Sequence, residues 1–236
     1  MTPDAAVAAN SGGRVAVLTS GGLDSAVLVA DFLRRGHVVQ PIYVRFGLIW
    51  EEAEEGYLRR FLDSLPGLGT RPLVTLDFPI ADVYDAHWSL SAQGIPDAES
   101  PDDAVYLPGR NLVLLAKSCV WCALHDYPVI AVGTLKGNPF ADSSRGFFNC
   151  FESLVHAAMA CPISIVAPFS DLTKADVLRL GRSLELQQTF SCIDPNAGHH
   201  CGLCNKCAER RRAFAALSID DLTRYASAEA SPPSVR

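Results

Sequence analysis

The stretch VLTSGGLDSAVL, residues 17–28, joins two kinds of apolar pattern through a polar turn. Before the turn, Val15, Ala16, Val17 and Leu18 form an unbroken apolar run, the pattern of a strand buried on both faces. After it, Ala26, Val27, Val29, Ala30, Phe32 and Leu33 recur at helical spacing. A strand that passes through two glycines straight into a helix is the first half of a βαβ unit, and it commits the chain to a parallel sheet with helical crossovers. The start of such a helix presents unpaired N–H groups and the positive end of its dipole, so the turn suits an anion. An ordinary βα turn with Asp24 as N-cap accounts for the same residues. The rest of the chain has to decide between the two.

The alternation continues. Residues 14–18 read as a strand, 24–35 as a helix stopped by Gly36, and 38–46 as a second buried strand despite Pro41. Residues 51–65 read as a helix, acidic at its start and basic later at Arg59 and Arg60, and 73–78 as a third strand. Residues 79–107 lose periodicity, are rich in Asp, Ser and Pro, and read as an insertion or active-site loop. An apolar helix over 111–125, a strand over 129–132 closed by Gly133, a polar loop over 134–146 and a helix over 147–160 follow. A last strand is expected at 163–167, then a helix over 172–184 capped by Asp171 or Thr173. The expected fold is an open parallel α/β sheet flanked by helices, Rossmann-like, over 14–185, with a cysteine-bearing C-terminal segment at 186–225 and loose tails at 1–13 and 226–236. In such sheets ligands lie beyond the carboxyl ends of the strands, at the point where strand order reverses. The loops 19–25, 46–51 and 133–146 are therefore the expected site.

The net charge of −6 over 236 residues argues against a broad nucleic-acid surface. There is no uninterrupted run of about 18 apolar residues, and no basic segment leading into an apolar one in the first ten residues, so neither a membrane span nor a secretory signal is expected. The expected location is the cytoplasm, where clustered cysteines point to metal rather than disulfides. Four of the eight cysteines fall in CIDPNAGHHCGLCNKC, as Cys192, Cys201, Cys204 and Cys207. Four thiolates at this spacing fit a tetrahedral, structural Zn²⁺ with no open position, and His199 or His200 could replace one of them. Cys119 and Cys122 lie mid-helix among apolar residues and read as core rather than as a redox pair. LPGRN, residues 107–111, opens an apolar helix; Arg110 and Asn111 there can hold a phosphate or acid, or form a turn with a capping Asn.

The string SGGLDS resembles the signature of the PP-loop ATP pyrophosphatases, and no Walker-type GK[ST] occurs in it. SGGLDS, PGRN, PFSDLTKADVLRLG (168–181) and the four-cysteine segment, in that order, resemble the 7-cyano-7-deazaguanine synthase family from residue 14 to about 217. Two segments depart from that family. RFGLIWEE stands where a polar DYGQ-type stretch is usual, and TLKGNPFADSSRGFF where an acidic, Tyr-rich stretch is usual.

The resemblance implies an adenine nucleotide α-hydrolase-like fold and a carbon–nitrogen ligase. That enzyme adenylates 7-carboxy-7-deazaguanine with ATP and Mg²⁺, then uses ammonia to make first an amide and then a nitrile, in queuosine and deazapurine biosynthesis. Ser20, Gly21, Gly22 and Ser25 would supply donors to the pyrophosphate, with Leu18 and Leu23 flanking them. Asp24 would orient the loop or hold metal, and Arg110 and Lys174 would contact phosphate. For a flat ring bearing a carboxylate, the loop Asp142, Ser143, Ser144 and Arg145 would offer edge contacts or hold the carboxylate, and Phe46, Trp50, Phe140 or Phe147 would be a stacking surface or core. Adenylation of another carboxylate and a relative that stops at the amide stay open. So do tRNA thiolation through Cys150, an inactive nucleotide-binding zinc module, and a homodimer.

Overall fold

The computed structural model describes residues 12–65 and 69–227; of the tails expected at 1–13 and 226–236, residues 1–11 and 228–236 lie outside the described residues. Five strands form one parallel sheet: β1 (Arg14–Leu18), β2 (Val38–Arg45), β3 (Val74–Asp77), β4 (Val129–Ala131) and β5 (Ser164–Val166). Their order across the sheet is β3-β2-β1-β4-β5. The chain thus builds outward from β1 on one side, then returns and builds outward on the other. The reversal lies between β1 and β4, which is the point where a parallel sheet opens a crevice for ligands.

Helix α1 (Leu23–Arg34) follows β1, and α2 (Glu51–Ser64) follows β2. The aperiodic stretch after β3 holds two short helices, α3 (Ala81–Tyr84) and α4 (Trp88–Ser91), and a 3-10 turn at Asp102–Val105. Beyond it come α5 (Arg110–Leu124), α6 (Arg145–Met159), α7 (Lys174–Gly181) and α8 (Asn205–Ala216).

Strand alternation divides the core into two layers. Val15 and Val17 of β1 face a cluster that includes Leu28 and Phe32 of α1, Val177 and Leu178 of α7 and Phe214 of α8. Ala16 between them faces a second cluster with Leu115 of α5 and Phe148 and Phe151 of α6. Successive side chains of a strand point to opposite faces, so a strand covered on both sides is apolar throughout, as β1 is. Cys119 and Cys122 of α5 are both fully buried in the second cluster, and burial pushes the Cys119 thiol up to about 12.

Two caps fix helix starts that matter below. Thr173 Oγ1 accepts from the Asp176 N–H, and Asp176 Oδ2 accepts from the Thr173 N–H, a reciprocal box that sets the first residue of α7 at Lys174. Ser144 Oγ accepts from the Phe147 N–H and starts α6 at Arg145.

Candidate active site

The SGGLDS loop leaves β1 at the reversal point. The N-cap of α1 is Gly22, and no side chain caps it; Asp24 lies in the first helical turn instead. The hydroxyls brace the loop from within. Ser25 Oγ donates to the Gly22 carbonyl at 3.1 Å, and the Ser20 N–H donates to Ser25 Oγ at 3.2 Å. Gly21 has φ +73°, the left-handed region, and a Cβ there would stand 3.1 Å from the Glu54 carbonyl oxygen. Its own carbonyl accepts from the Phe190 N–H at 2.7 Å. Gly133, at the end of β4, lies so close to the loop that a Cβ would stand 3.4 Å from the Ser25 nitrogen. Both sides of the reversal point therefore meet in backbone contact, with the uncapped helix start between them.

A cavity of about 330 Å³ opens there, within the range of small-molecule sites. Leu18, Ser20, Gly22, Asp24, Ser25 and Arg110 of the expected site all line it. Gly21 does not; it faces Glu54 and Leu58. Leu23 is buried in the core beneath the loop. Three polar atoms at the cavity are buried and unpartnered among the described residues: Asp24 Oδ1, Arg110 Nε and Thr134 Oγ1. Buried polar atoms without partners are rare in folded proteins, and three converging on one cavity mark it as a place for a polar ligand.

Two acids from the start of α2 form part of the wall, and composition gave no hint of their depth. Glu51 Oε1 and Oε2 accept from the Phe46 and Gly47 N–H groups at 2.5 and 2.8 Å, so this carboxylate pins the chain leaving β2. Burial raises its pKa, and those two bonds counter the rise. Glu54 Oε2 accepts from the Tyr43 hydroxyl at 2.7 Å. Burial pushes the Glu54 carboxyl up to about 8, against the opposing pull of Tyr43 and of the Arg110 charge. The Tyr43 hydroxyl is raised as well, first by its own burial and then by Glu54.

On the other side, Lys174 Nζ lies 2.7 Å from Asp24 Oδ2 and 3.5 Å from Glu209 Oε1. Lys174 does not itself line the cavity and reaches it through Asp24, whereas Lys206 lines it and lies 2.6 Å from Glu209 Oε2. Burial alone would lower the Lys174 pKa, yet Asp24 and Glu209 hold it above the ordinary value. Lys206 and Glu209 had no individual signature in the sequence; they sit in and just after the cysteine segment.

That segment gathers as its spacing implies. The Sγ atoms of Cys192, Cys201, Cys204 and Cys207 all lie within 4.8 Å of one another, and all four residues are buried. The Asp194 and Cys201 N–H groups donate to Cys192 Sγ, and those of Leu203 and Cys204 to Cys201 Sγ, at 3.2 to 3.3 Å. Backbone donors aimed at convergent sulfurs suit thiolates around one ion. Neither neighbouring histidine joins the group. His200 is fully buried and its Nε2 accepts from the Ser191 N–H; His199 Nδ1 meets the Tyr57 hydroxyl at 3.3 Å.

The remaining expected residues are placed differently. Arg145 does not line the cavity. Its guanidinium donates to the Ile165 carbonyl at 2.5 Å and to Asn149 Oδ1 at 2.8 Å, and it pairs with Glu152 at 2.7 Å, binding α6 to β5. Asn111 clamps the start of α5 to the 134–144 loop through Asp142, which takes the Asn111 N–H at 2.9 Å. Phe46 and Phe140 line the cavity, and Phe140 stacks on Tyr106 at 4.8 Å, across from the loop before α5. Trp50 is buried against Trp88 of α4, and Phe147 packs on Phe148 and Phe151. The apolar Leu48–Trp50 turn thus serves mainly to seat α4, with Leu48 alone reaching the cavity.

Fold and site together define a PP-loop α/β protein with its cavity at the sheet's reversal point and a four-cysteine cluster that could hold a metal ion beside it. The family model described as queuosine biosynthesis protein QueC matches residues 14–218. The chain belongs to that family. It is 33% identical over 230 residues to the 7-cyano-7-deazaguanine synthase of Methanothrix thermoacetophila, covering 90% of this chain and 99% of the relative. It is 32% identical over 231 residues to that of an Azoarcus species, covering 90% and 96%. Among the described residues, no helix is long and apolar enough to cross a membrane.

Proposed function

We propose that this protein converts 7-carboxy-7-deazaguanine and ammonia to 7-cyano-7-deazaguanine with ATP, in queuosine and deazapurine biosynthesis. The observation that carries the reading is the uncapped SGGLDS helix start, with its own orphaned Asp24 Oδ1, sharing a cavity with the orphaned Arg110 Nε and Thr134 Oγ1, in a chain of this family. A carboxylate is a poor acyl donor, and adenylation gives it a leaving group. The substrate carboxylate oxygen attacks the α-phosphorus of ATP, and the bond to pyrophosphate breaks. Ammonia then attacks the acyl carbon, loses a proton, and AMP departs to leave an amide. The amide oxygen attacks a second ATP in the same way; loss of AMP and of the nitrogen-bound protons gives the nitrile.

The chain's contribution is to bind charge and to orient. Ser20, Gly22, Ser25 and the first N–H groups of α1 meet the pyrophosphate as its charge grows. Lys174 and Arg110 add fixed cations. Asp24 Oδ1 is the free carboxylate oxygen for a Mg²⁺ arriving with ATP, an ion that takes one or two carboxylates and completes its shell with phosphate and water. Cys192, Cys201, Cys204 and Cys207 would hold Zn²⁺ as a structural ion, since four thiolates leave no open position. Phe46, Phe140 and Tyr106 offer faces to a flat ring.

The apolar Leu48 at the cavity favours one alternative: a relative that adenylates another carboxylate or stops at the amide. Wild-type protein with ATP, ammonia and 7-carboxy-7-deazaguanine, followed by pyrophosphate release and product mass, tests the reading. The nitrile mass supports it. The amide mass alone, or pyrophosphate release only with a different acid, favours the alternative.

A further inference from the structure

Helix α8 begins at Asn205, between two members of the cysteine cluster, so Lys206 is fixed at its base from both sides. Asn205 and Cys207 are each 0% exposed. The Asn205 N–H donates to the Pro96 carbonyl at 3.0 Å and its Nδ2 to the Ser100 carbonyl at 2.6 Å, which ties this turn to the long loop before α5. From that anchored base the Lys206 side chain reaches the same cavity as Gly22 and Asp24. Its ammonium has three donors and, among the described residues, meets one partner, Glu209 at 2.6 Å. Glu209 lies one helical turn on and shares its other oxygen with Lys174 at 3.5 Å.

The four charges alternate along a row: Asp24, Lys174, Glu209, Lys206. The row is electrically balanced with no ligand present. Its two cations are spaced by one carboxylate and border the loop where phosphates would lie. A compact, flexible ammonium suits a phosphate oxygen as a point charge. A cysteine cluster buried beside the cavity, with its ligand-bearing turn delivering a lysine into it, is more than a remote staple.

We infer that Lys206 is a further phosphate-binding residue and that Glu209 is the positioning residue setting Lys174 and Lys206 side by side, so that the four-cysteine segment forms one wall of the nucleotide site. This rests on the ATP reading above. It assigns the segment a part in binding the triphosphate, beyond holding the fold.

The test uses the full-length protein with its metal in place. Binding of a non-hydrolysable α,β-methylene ATP analogue and of AMP is measured by calorimetry for wild type, Lys206→Gln, Lys206→Arg, Glu209→Gln and the Lys206→Gln/Glu209→Gln pair, with metal content per chain determined in each. Lys206→Gln should weaken the triphosphate by at least about tenfold while AMP stays within about twofold, because AMP lacks the outer phosphates. Lys206→Arg should recover most of the loss. Glu209→Gln should weaken the triphosphate on its own but add little in the double variant, since both changes act on one contact. Should Lys206→Gln lose its metal, Glu209→Gln, which leaves the lysine in place, carries the same test.

A metal-replete Lys206→Gln protein that binds the triphosphate as wild type does overturns the inference. So does equal weakening of triphosphate and AMP. Wild-type protein that binds the triphosphate but leaves 7-carboxy-7-deazaguanine untouched sinks the substrate reading and leaves Lys206 standing. Wild-type protein that binds no triphosphate sinks both.

Discussion

The Lys174 ammonium lies 2.7 Å from Asp24 Oδ2, and the two residues are 150 positions apart in the chain. One comes from the loop after β1, the other from the first residue of α7, and the contact ties α7 to a residue that lines the cavity. The pair is three-quarters screened from solvent, at 26% and 24% side-chain exposure. Its partners therefore depend on each other more than a surface pair would. Asp24→Asn and Lys174→Met should each cut pyrophosphate release by at least about a hundredfold. Each should also cost about 1–3 kcal/mol of stability by leaving the other group without its partner. The double variant should regain part of that stability and none of the activity. Activity within threefold of wild type in both single variants would remove the loop from the chemistry.

Glu54 makes stability depend on pH in a predictable direction. Its folded pKa of about 8 lies above the ordinary 4.5, so the folded state holds a proton that the unfolded chain has already released. The stability linked to this group is complete below about pH 4.5 and disappears as pH rises through 8. Between pH 6 and 9 the loss is about 3 kcal/mol, or several degrees in Tm for a chain of this size. Glu54→Gln cannot release that proton. Thermal unfolding at pH 6 and pH 9 should show a smaller drop in the variant than in wild type, and parallel drops would refute the assignment.

Removal of metal should act on the end of the chain first. We expect one Zn²⁺ per chain, bound with a free energy on the order of 10 kcal/mol. Chelation should release the region from Ser191 to Ser227, which the cysteines, His200 and Tyr225 hold together. Hydrogen exchange with and without a strong chelator reads this directly. Uniform protection in both conditions, or protein carefully purified without zinc, would contradict it.

Arg145 separates a structural from a chemical role. Its donors are taken up by Glu152, Asn149 and the Ile165 carbonyl. Arg145→Ala should cost about 2 kcal/mol in urea unfolding and leave kcat/KM for the acid within about threefold. A tenfold loss of kcat/KM with unchanged stability would place it back at the substrate.

The strands were legible to within a residue or two because parallel strands covered on both faces must be apolar throughout, as Val15–Val17 and Val129–Ala131 are. The cysteine cluster was legible because its spacing closes on itself. What stayed hidden was depth. Glu51 and Glu54 at the start of α2 look like acids that complement a helix dipole on a wet surface, yet both line the cavity. Arg210 stands in the run Arg210–Arg211–Arg212 and reads as part of a solvated basic face. In the fold it is 1% exposed and donates to Thr189, Thr223 and the Leu186 carbonyl. Sequence shows that such a helix is charged; only tertiary packing decides which arginine turns inward. Arg145 was misleading for the mirror reason, since its partners are Glu152, two turns on in the same helix, and Ile165 in the strand that follows.

The reach of the Asp24–Lys174 and Gly21–Phe190 contacts has a consequence for how the protein is made. SGGLDS is translated well before its partners Lys174 and Phe190. During that interval Asp24 has no lysine partner, and Lys206 has not joined the cavity lining. A nascent chain therefore carries the SGGLDS signature before its partners exist, and the loop is completed only when the segment from Lys174 onward docks. A chain cut just before residue 174 should fail to bind ATP in calorimetry, and ATP binding by it at wild-type affinity would refute this.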